Sequence, residues 1–228
     1  MRSLHRILLA LSAVTLLTAC DDDPSGPSND GRVRVVHAIS NVAATDVLLN
    51  TTNYKTNLAY KANDGYRTIA TGATAIRIRK AGVATDLTTL NQNIVNATEY
   101  TVFAIGTEAA PQSMILTDNN TTPAAGRVKI RAVNAAVAAG AVDVYVLANA
   151  NELANATPDK ANLEVKAATD YIIKNAGTYV VIFTTTGTKT AVLSVGNVQI
   201  ATGKIRTIAA VEKVGGGTPL ESVVLVDK

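Results

Sequence analysis

The sequence carries one cysteine, no tryptophan and two histidines in 228 residues, and aromatic side chains make up only 4% of it. A disulfide needs two thiols, so a disulfide-stapled scaffold is excluded. The same scarcity leaves no cysteine–histidine set for a zinc centre, and neither a metal nor a cofactor is expected. Charged residues are sparse too, at 17%, whereas apolar residues reach 47%. That apolar content is above what a disordered chain carries, and the length suffices for one or two domains with buried cores. With so few rings, those cores must be built from Val, Ile, Leu and Ala.

The single cysteine stands in a telling place. Arg2 and Arg6 precede a short, mainly apolar run from Ile7 to Leu17, followed by Thr18, Ala19 and Cys20. The run is shorter than the roughly 20 residues a membrane-spanning helix needs, and reads as a secretory signal. Leu17-Thr18-Ala19-Cys20 resembles the lipobox of bacterial lipoproteins. That resemblance implies cleavage between Ala19 and Cys20, a diacylglycerol thioether on Cys20, and acylation of the new amine. It also implies a partner, the membrane, held through the N-terminal lipid, and a location in the cell envelope with the choice of inner or outer membrane open. Two or three buried acyl chains at roughly 0.8 kcal/mol per methylene make such an anchor essentially permanent. Residues 1–19 are thus read as a signal peptide and 20–31 as the lipidated cysteine with a flexible tether. Asp21, Asp22 and Asp23 in that tether do not form a calcium-loop pattern.

Beyond the tether the chain repeats itself. Arg32-Val33-Arg34-Val35-Val36-His37-Ala38 aligns without gaps to Lys129-Ile130-Arg131-Ala132-Val133-Asn134-Ala135, and Asp46-Val47 falls on Asp143-Val144 in the same register. With a longer second copy, Thr71–Ile76 matches Ala176–Val181, Tyr100–Ile105 matches Ile205–Ala210, and Ile115–Asp118 matches Val224–Asp227. Two copies follow, at 32–120 and 126–228.

Each copy reads as all-β. Arg32–Val36 and Ile76–Arg79 alternate with the period of a half-buried strand, while Tyr179–Phe183 is continuously apolar and expects cover on both faces or a place at an interface. Asn63-Asp64-Gly65, Lys80-Ala81-Gly82, Thr186-Gly187-Thr188 and Gly215-Gly216-Gly217 are turn chemistry. Ala135–Val142 reads as a loop, with a short helical turn as the alternative. About seven strands per copy predict two tandem immunoglobulin-like antiparallel β-sandwich domains after the signal peptide and tether. Arg34-Val35-Val36-His37-Ala38, Asp46-Val47, Glu99-Tyr100-Thr101-Val102 and Val142-Asp143-Val144-Tyr145-Val146 together resemble the bacterial domain of unknown function 4397 (DUF4397). The resemblance spans Arg32 to Asp227 and brings no catalytic residues with it. Ile39-Ser40-Asn41 departs from its usual Ser-Pro-Asp step, and Asn134 stands where the first copy has His37.

Chemistry is hard to find, and no catalytic residue is assigned. Nucleophilic catalysis usually needs a histidine beside the nucleophile. His37 is the one histidine after the signal, and its exchange for Asn134 predicts a hydrogen-bonding role. Asp46 and Asp143 recur at the same place, which predicts backbone capping rather than paired acid–base work. Glu99 and Glu164 have no acidic counterpart in the other copy and read as surface residues. Arg32, Arg34, Arg77 and Arg79 read as solvated strand faces that protect edges. Nucleic acid is not an expected partner, because basic residues and rings do not cluster. Removing residues 1–19 also leaves 19 basic residues against 18 acidic ones, which takes away most of the apparent charge of +3. Tyr54, Tyr60 and Tyr66 form the one local group of rings and are the candidate ligand surface. The expectation is a non-enzymatic, lipid-anchored envelope protein presenting tandem sandwich modules to an envelope protein or glycan. The alternatives are a hydrolase acting through carboxylates and a purely structural spacer.

Overall fold

The computed structural model describes residues 29–228. The signal segment, Ala19, Cys20 and the tether as far as residue 28 lie outside the described residues. Among the described residues, no helix is long and apolar enough to cross a membrane.

Seventeen strands follow one another: β1 (Asp30–Ile39), β2 (Ala44–Leu49), β3 (Thr52–Ala59), β4 (Arg67–Ala70), β5 (Gly72–Lys80), β6 (Asp86–Ile94), β7 (Glu99–Thr107), β8 (Ala110–Asp118), β9 (Arg127–Asn134), β10 (Val142–Leu147), β11 (Lys160–Leu163), β12 (Ala167–Ala168), β13 (Ile172–Asn175), β14 (Gly177–Thr185), β15 (Ala191–Ile200), β16 (Ile205–Val211) and β17 (Glu221–Val226). They form four sheets. The first half makes β3-β2-β5-β6 and β4-β1-β7-β8. The second half makes β11-β10-β14-β15 and β12-β9-β16-β17, with β13 also pairing β9. The strand order of one half thus reappears in the other. In each half the middle pair of one sheet is parallel, β1 with β7 and β9 with β16. That order and that parallel pair differ from the two antiparallel sheets of an immunoglobulin domain. Ala135–Val142 takes the helical-turn alternative, a short 3₁₀ turn at Val137–Ala139.

The sheets stack in four layers. Val33, Val35, Val47, Ile76, Ile78 and Val102 fill the space between the two sheets of the first half. Val128, Ile130, Val144, Val181, Phe183 and Ile208 do so in the second. A third core lies between the halves, where Val36, Ala38, Phe103 and Ile105 meet Val133, Ala209, Val211 and Leu225. The sheets centred on β1 and β9 are therefore the inner layers, buried on both faces. This corrects the half-solvated reading of β1, in which every residue from Val33 to Ile39 is buried. Odd positions face their own outer sheet, and even positions face the other half.

The correction falls hardest on Arg34, which is 2% exposed. Its Nη2 donates to Asp227 Oδ1 at 2.6 Å, and its Nε and Nη2 donate to Thr101 Oγ1 at 3.2 and 2.8 Å. Thr101 Oγ1 donates to Asp118 Oδ2 at 2.6 Å. Arg131, the counterpart of Arg34, donates to Asp118 Oδ1 at 2.6 Å and to Thr207 Oγ1 at 3.1 Å. Thr207 Oγ1 donates to Asp227 Oδ2 at 2.8 Å and closes a ring of six side chains. Each arginine takes a threonine from its own half and a carboxylate from the other. Tyrosine rings lie against both guanidinium groups, Tyr66 on Arg34 at 4.4 Å and Tyr171 on Arg131 at 4.9 Å. The ring also fixes the register. Val33 pairs with Tyr100 and Ile130 with Arg206, so Arg206, not Ile205, is the counterpart of Tyr100. The sequence match of Tyr100–Ile105 is thus one residue out, which in a strand exchanges the two faces.

Arg77 and Arg79 are corrected as well. They sit on β5, an interior strand, and share Asp86 at 2.7 and 2.5 Å rather than guarding an edge. Ile182 of the continuous run is covered on its outer side by the loop between β10 and β11, where Leu153 and Ala156 pack over Tyr145 and Ile182. The first half has only the tight turn at Asn50-Thr51 in that place.

Removing one member of a buried pair strands a charge at a cost of about 3–5 kcal/mol. Arg34→Leu is therefore expected to destabilise the protein by that amount in urea denaturation. Arg34→Leu combined with Asp227→Leu should recover much of the loss. A single mutant as stable as wild type would show that the ring does not bind the halves together.

Candidate functional site

The two halves point the same way. The ring lies on the side from which β1 and β9 start, at the fifth residue of each, and the loops that follow β1 and β16 meet at the other end, where Gly215 N–H donates to Ser40 O at 2.9 Å. The end where β1 begins is termed basal, the other apical. Along β1 the two lie about 20 Å apart, from Arg34 to Ser40, at roughly 3.3 Å per residue.

The apical end gathers four connections, those after β1, β7, β9 and β16. Glu212, only 4% exposed, ties three of them together, and Ser40 links the fourth through Gly106 O. Its Oε1 accepts from Ala138 N at 3.0 Å and its Oε2 from Gly217 N at 3.2 Å, with Ser40 Oγ at 3.3 Å. Tyr60 O–H donates to its main-chain carbonyl. The glycine run makes this possible. A Cβ on Gly216, whose φ is +93°, would stand 3.2 Å from Glu212 Oε2 and 3.3 Å from Ser40 Oγ. Beside this knot lies a cleft of about 470 Å³, walled by Val42, Ala43, Tyr60 and Val214 with the loop backbone at Ser40, Asn41 and Gly215. Val214 stands 70% exposed at its rim.

His37 lies beneath the cleft, fully buried, with Tyr60 edge-on at 5.7 Å. Its Nε2 donates to Val42 O at 2.8 Å and its Nδ1 accepts from Ile39 N at 3.3 Å. Asn134 does the same for its own loop. Its Nδ2 donates to Gly140 O at 2.7 Å and its Oδ1 accepts from Ala136 N at 3.4 Å. One ring and one amide thus solve the same loop-tying problem.

The tyrosines are not brought together. Tyr54 O–H donates to Val33 O at 2.5 Å, Tyr66 O–H to Asp118 Oδ2 at 2.7 Å, and Tyr60 to the apical knot. Each is half-buried, and burial raises all three phenols above their ordinary value of 10.0. Only Tyr60 faces the apical cleft. The carboxylates are likewise dispersed. Asp46 accepts from Asn57 N at 2.8 Å and Gly82 N at 3.0 Å, and Asp143 accepts from Asn162 N and Gly187 N, both at 2.8 Å. Glu99 pairs with Arg32 at the basal end, and Glu164 is exposed beside Asn162. Among the described residues, no group of three or more His, Cys, Asp or Glu is placed to hold a metal ion.

Glu212 is the functional candidate that sequence reasoning passes over. Its signal is an acid just before a glycine run, with no counterpart in the first half, where Gly106 stands. Asp64 is another acid whose side chain is buried. Its Oδ1 accepts from Val35 N at 3.0 Å, as Thr169 Oγ1 accepts from Ala132 N at 3.1 Å, and its Oδ2 has no hydrogen-bond partner. Burial raises its carboxyl above the ordinary value.

Two stacked β-sheet sandwiches, one of eight strands and one of nine, each with a parallel middle pair and a shared loop end, define the class of protein. Family comparison then places the chain: the domain of unknown function DUF4397 matches residues 31–145, and the chain belongs to that family. The match runs past β8 through β9 and most of β10. A search of curated proteins finds no match. Among solved structures, the chain is similar to CBMbc, of family CBM26, from Eubacterium rectale Amy13K, solved in complex with maltoheptaose. The likeness has 10% identity, covers 86% of this chain and 96% of that one, and has a TM-score of 0.29.

Burial holds the His37 imidazole below its ordinary value of 6.5, opposed by the hydrogen bond to Val42. The unfolded chain therefore binds this proton more readily than the folded one. Its stabilising contribution is complete above pH 6.5 and is lost as pH falls through the folded-state value. His37→Asn, which borrows the chemistry of Asn134, should flatten the fall in stability between about pH 7 and about pH 5. Urea titrations at each pH read this, and an unchanged slope would remove His37 as its source.

Proposed function

We propose that the chain is a non-enzymatic, lipid-anchored cell-envelope protein in which a second copy of the same domain, at 126–228, is locked beside the first. Together they present one apical loop cluster to an envelope protein or glycan. The observation that carries this reading is the common direction of the two halves. The loops of both copies converge at the end opposite the one from which the chain leads back towards Cys20. Loops held at one end of a rigid scaffold are the usual seat of recognition. Here the scaffold is made rigid by a third core and a closed polar ring. Glu212, Ser40 and Tyr60 spend their polar atoms on holding that loop cluster in place, and Val42, Ala43 and Val214 offer the apolar surface beside it.

Two measurements test the reading. Cys20→Ala should move the protein from the membrane pellet to the soluble fraction, and a variant still in the pellet would overturn the lipid anchor. A photo-crosslinking residue placed at Val214 in intact cells should trap a discrete partner. The same residue at Val226, also exposed but on the basal part of β17, should not. Equal or absent capture from both positions would favour a spacer.

A further inference from the structure

At the basal end of the second half, Arg127, Lys204, Arg206 and Lys228 are drawn together by the main chain. Gly203 N–H donates to Arg127 O at 2.9 Å, Lys129 N–H to Lys204 O at 3.1 Å, and Ile205 N–H to Lys228 O at 3.3 Å. Arg127, Lys204 and Lys228 are exposed. Among the described residues, none of the four pairs with an aspartate or glutamate side chain. Arg127 donates to the amide oxygen of Asn175, Lys228 to Thr122 Oγ1, and Arg206 to the main-chain oxygen of Lys228. The neighbouring acid, Asp227, is turned inward to Arg34. In the first half, Arg32, the counterpart of Lys129, is neutralised by Glu99. Behind the patch, Lys129 is enclosed by Asn119 and Thr121 oxygens at 2.8 to 3.4 Å, and its ammonium adds a further buried positive charge.

We propose that this basal patch docks on the anionic headgroups of a phospholipid bilayer and seats the sandwich pair upright. The location rests on the lipid-anchor reading; the charge does not. The stretch from Asp21 to Asn29 reaches about 30 Å even when fully extended, so an anchor at Cys20 keeps the basal end close to the membrane. Attraction to anionic lipid acts within a Debye length of about 8 Å, so the patch engages only when that end is down. A lipid with a basic patch is a two-signal attachment, in which the acyl chains supply retention and the cations supply orientation.

The test uses the mature chain from residue 20 with Cys20→Ala, so that no lipid contributes. It should sediment with phosphatidylglycerol-containing vesicles but not with pure phosphatidylcholine vesicles. Binding should disappear between about 0.1 M and about 1 M salt. Each neutralised cation is expected to weaken binding about fivefold, and Arg127→Gln, Lys204→Gln and Lys228→Gln together on the order of a hundredfold. Arg77→Gln on the outer sheet should leave it unchanged. Equal sedimentation with neutral vesicles, or none with anionic ones, overturns the proposal. Binding that emerges only after Asp21, Asp22 and Asp23 are changed to Asn would assign the patch to the chain's own acids and overturn it too. These outcomes are independent of where the lipidated wild-type protein fractionates, so the anchor and the patch can fail separately.

Discussion

A guanidinium group buried between two β-sheets is tolerable only if every one of its neighbours is already committed to it. The ring of Arg34, Thr101, Asp118, Arg131, Thr207 and Asp227 meets that condition by reciprocity. A threonine stands between each arginine and the carboxylate of its own half, because its hydroxyl can accept from one and donate to the other. The ring closes only when the two halves are in register and pointing the same way. Apolar contact between the inner sheets would tolerate sliding, since Val and Ile surfaces are non-directional. The polar ring does not. The shared apical end, the basal patch left without acids, and the double burial of β1 and β9 all follow from it.

Much of the local architecture is legible in the residues. The period of two in Arg32–Val36, the turn chemistry at Lys80-Ala81-Gly82 and the glycine run after β16 all sit where strands and turns occur. The roles of Asp46 and Asp143 are legible because both halves of the sequence show them. What periodicity cannot reveal is which face meets water. Arg34 alternates with valines as a solvent-facing residue would, and its partner lies 193 residues further along the chain. The ring was also hidden by alignment. Matching Tyr100 to Ile205 puts Thr101 opposite Arg206, and only the structural register aligns it with Thr207.

The apical site illustrates the reverse problem. Its polar centre, Glu212, has no acidic counterpart in the first half to draw attention to it, and it joins the nearby Gly217 amide to Ala138 and Ser40, which are distant in sequence. The tyrosine group around Tyr54, by contrast, is close in sequence and scattered in space, because Tyr54 bonds to β1, Tyr60 to the apical knot and Tyr66 to the polar ring. Proximity along a strand-rich chain is a poor guide to proximity in the fold, since most contacts are long-range.

The direction of the two sandwiches bears on what their pairing achieves. Modules joined end to end add length, as a stalk does. These are joined face to face, with layers about 10 Å apart and a height set by one strand. The second module therefore leaves the protein no taller and makes it twice as broad, so its chief physical product is a wider platform whose loops are contributed jointly by both modules.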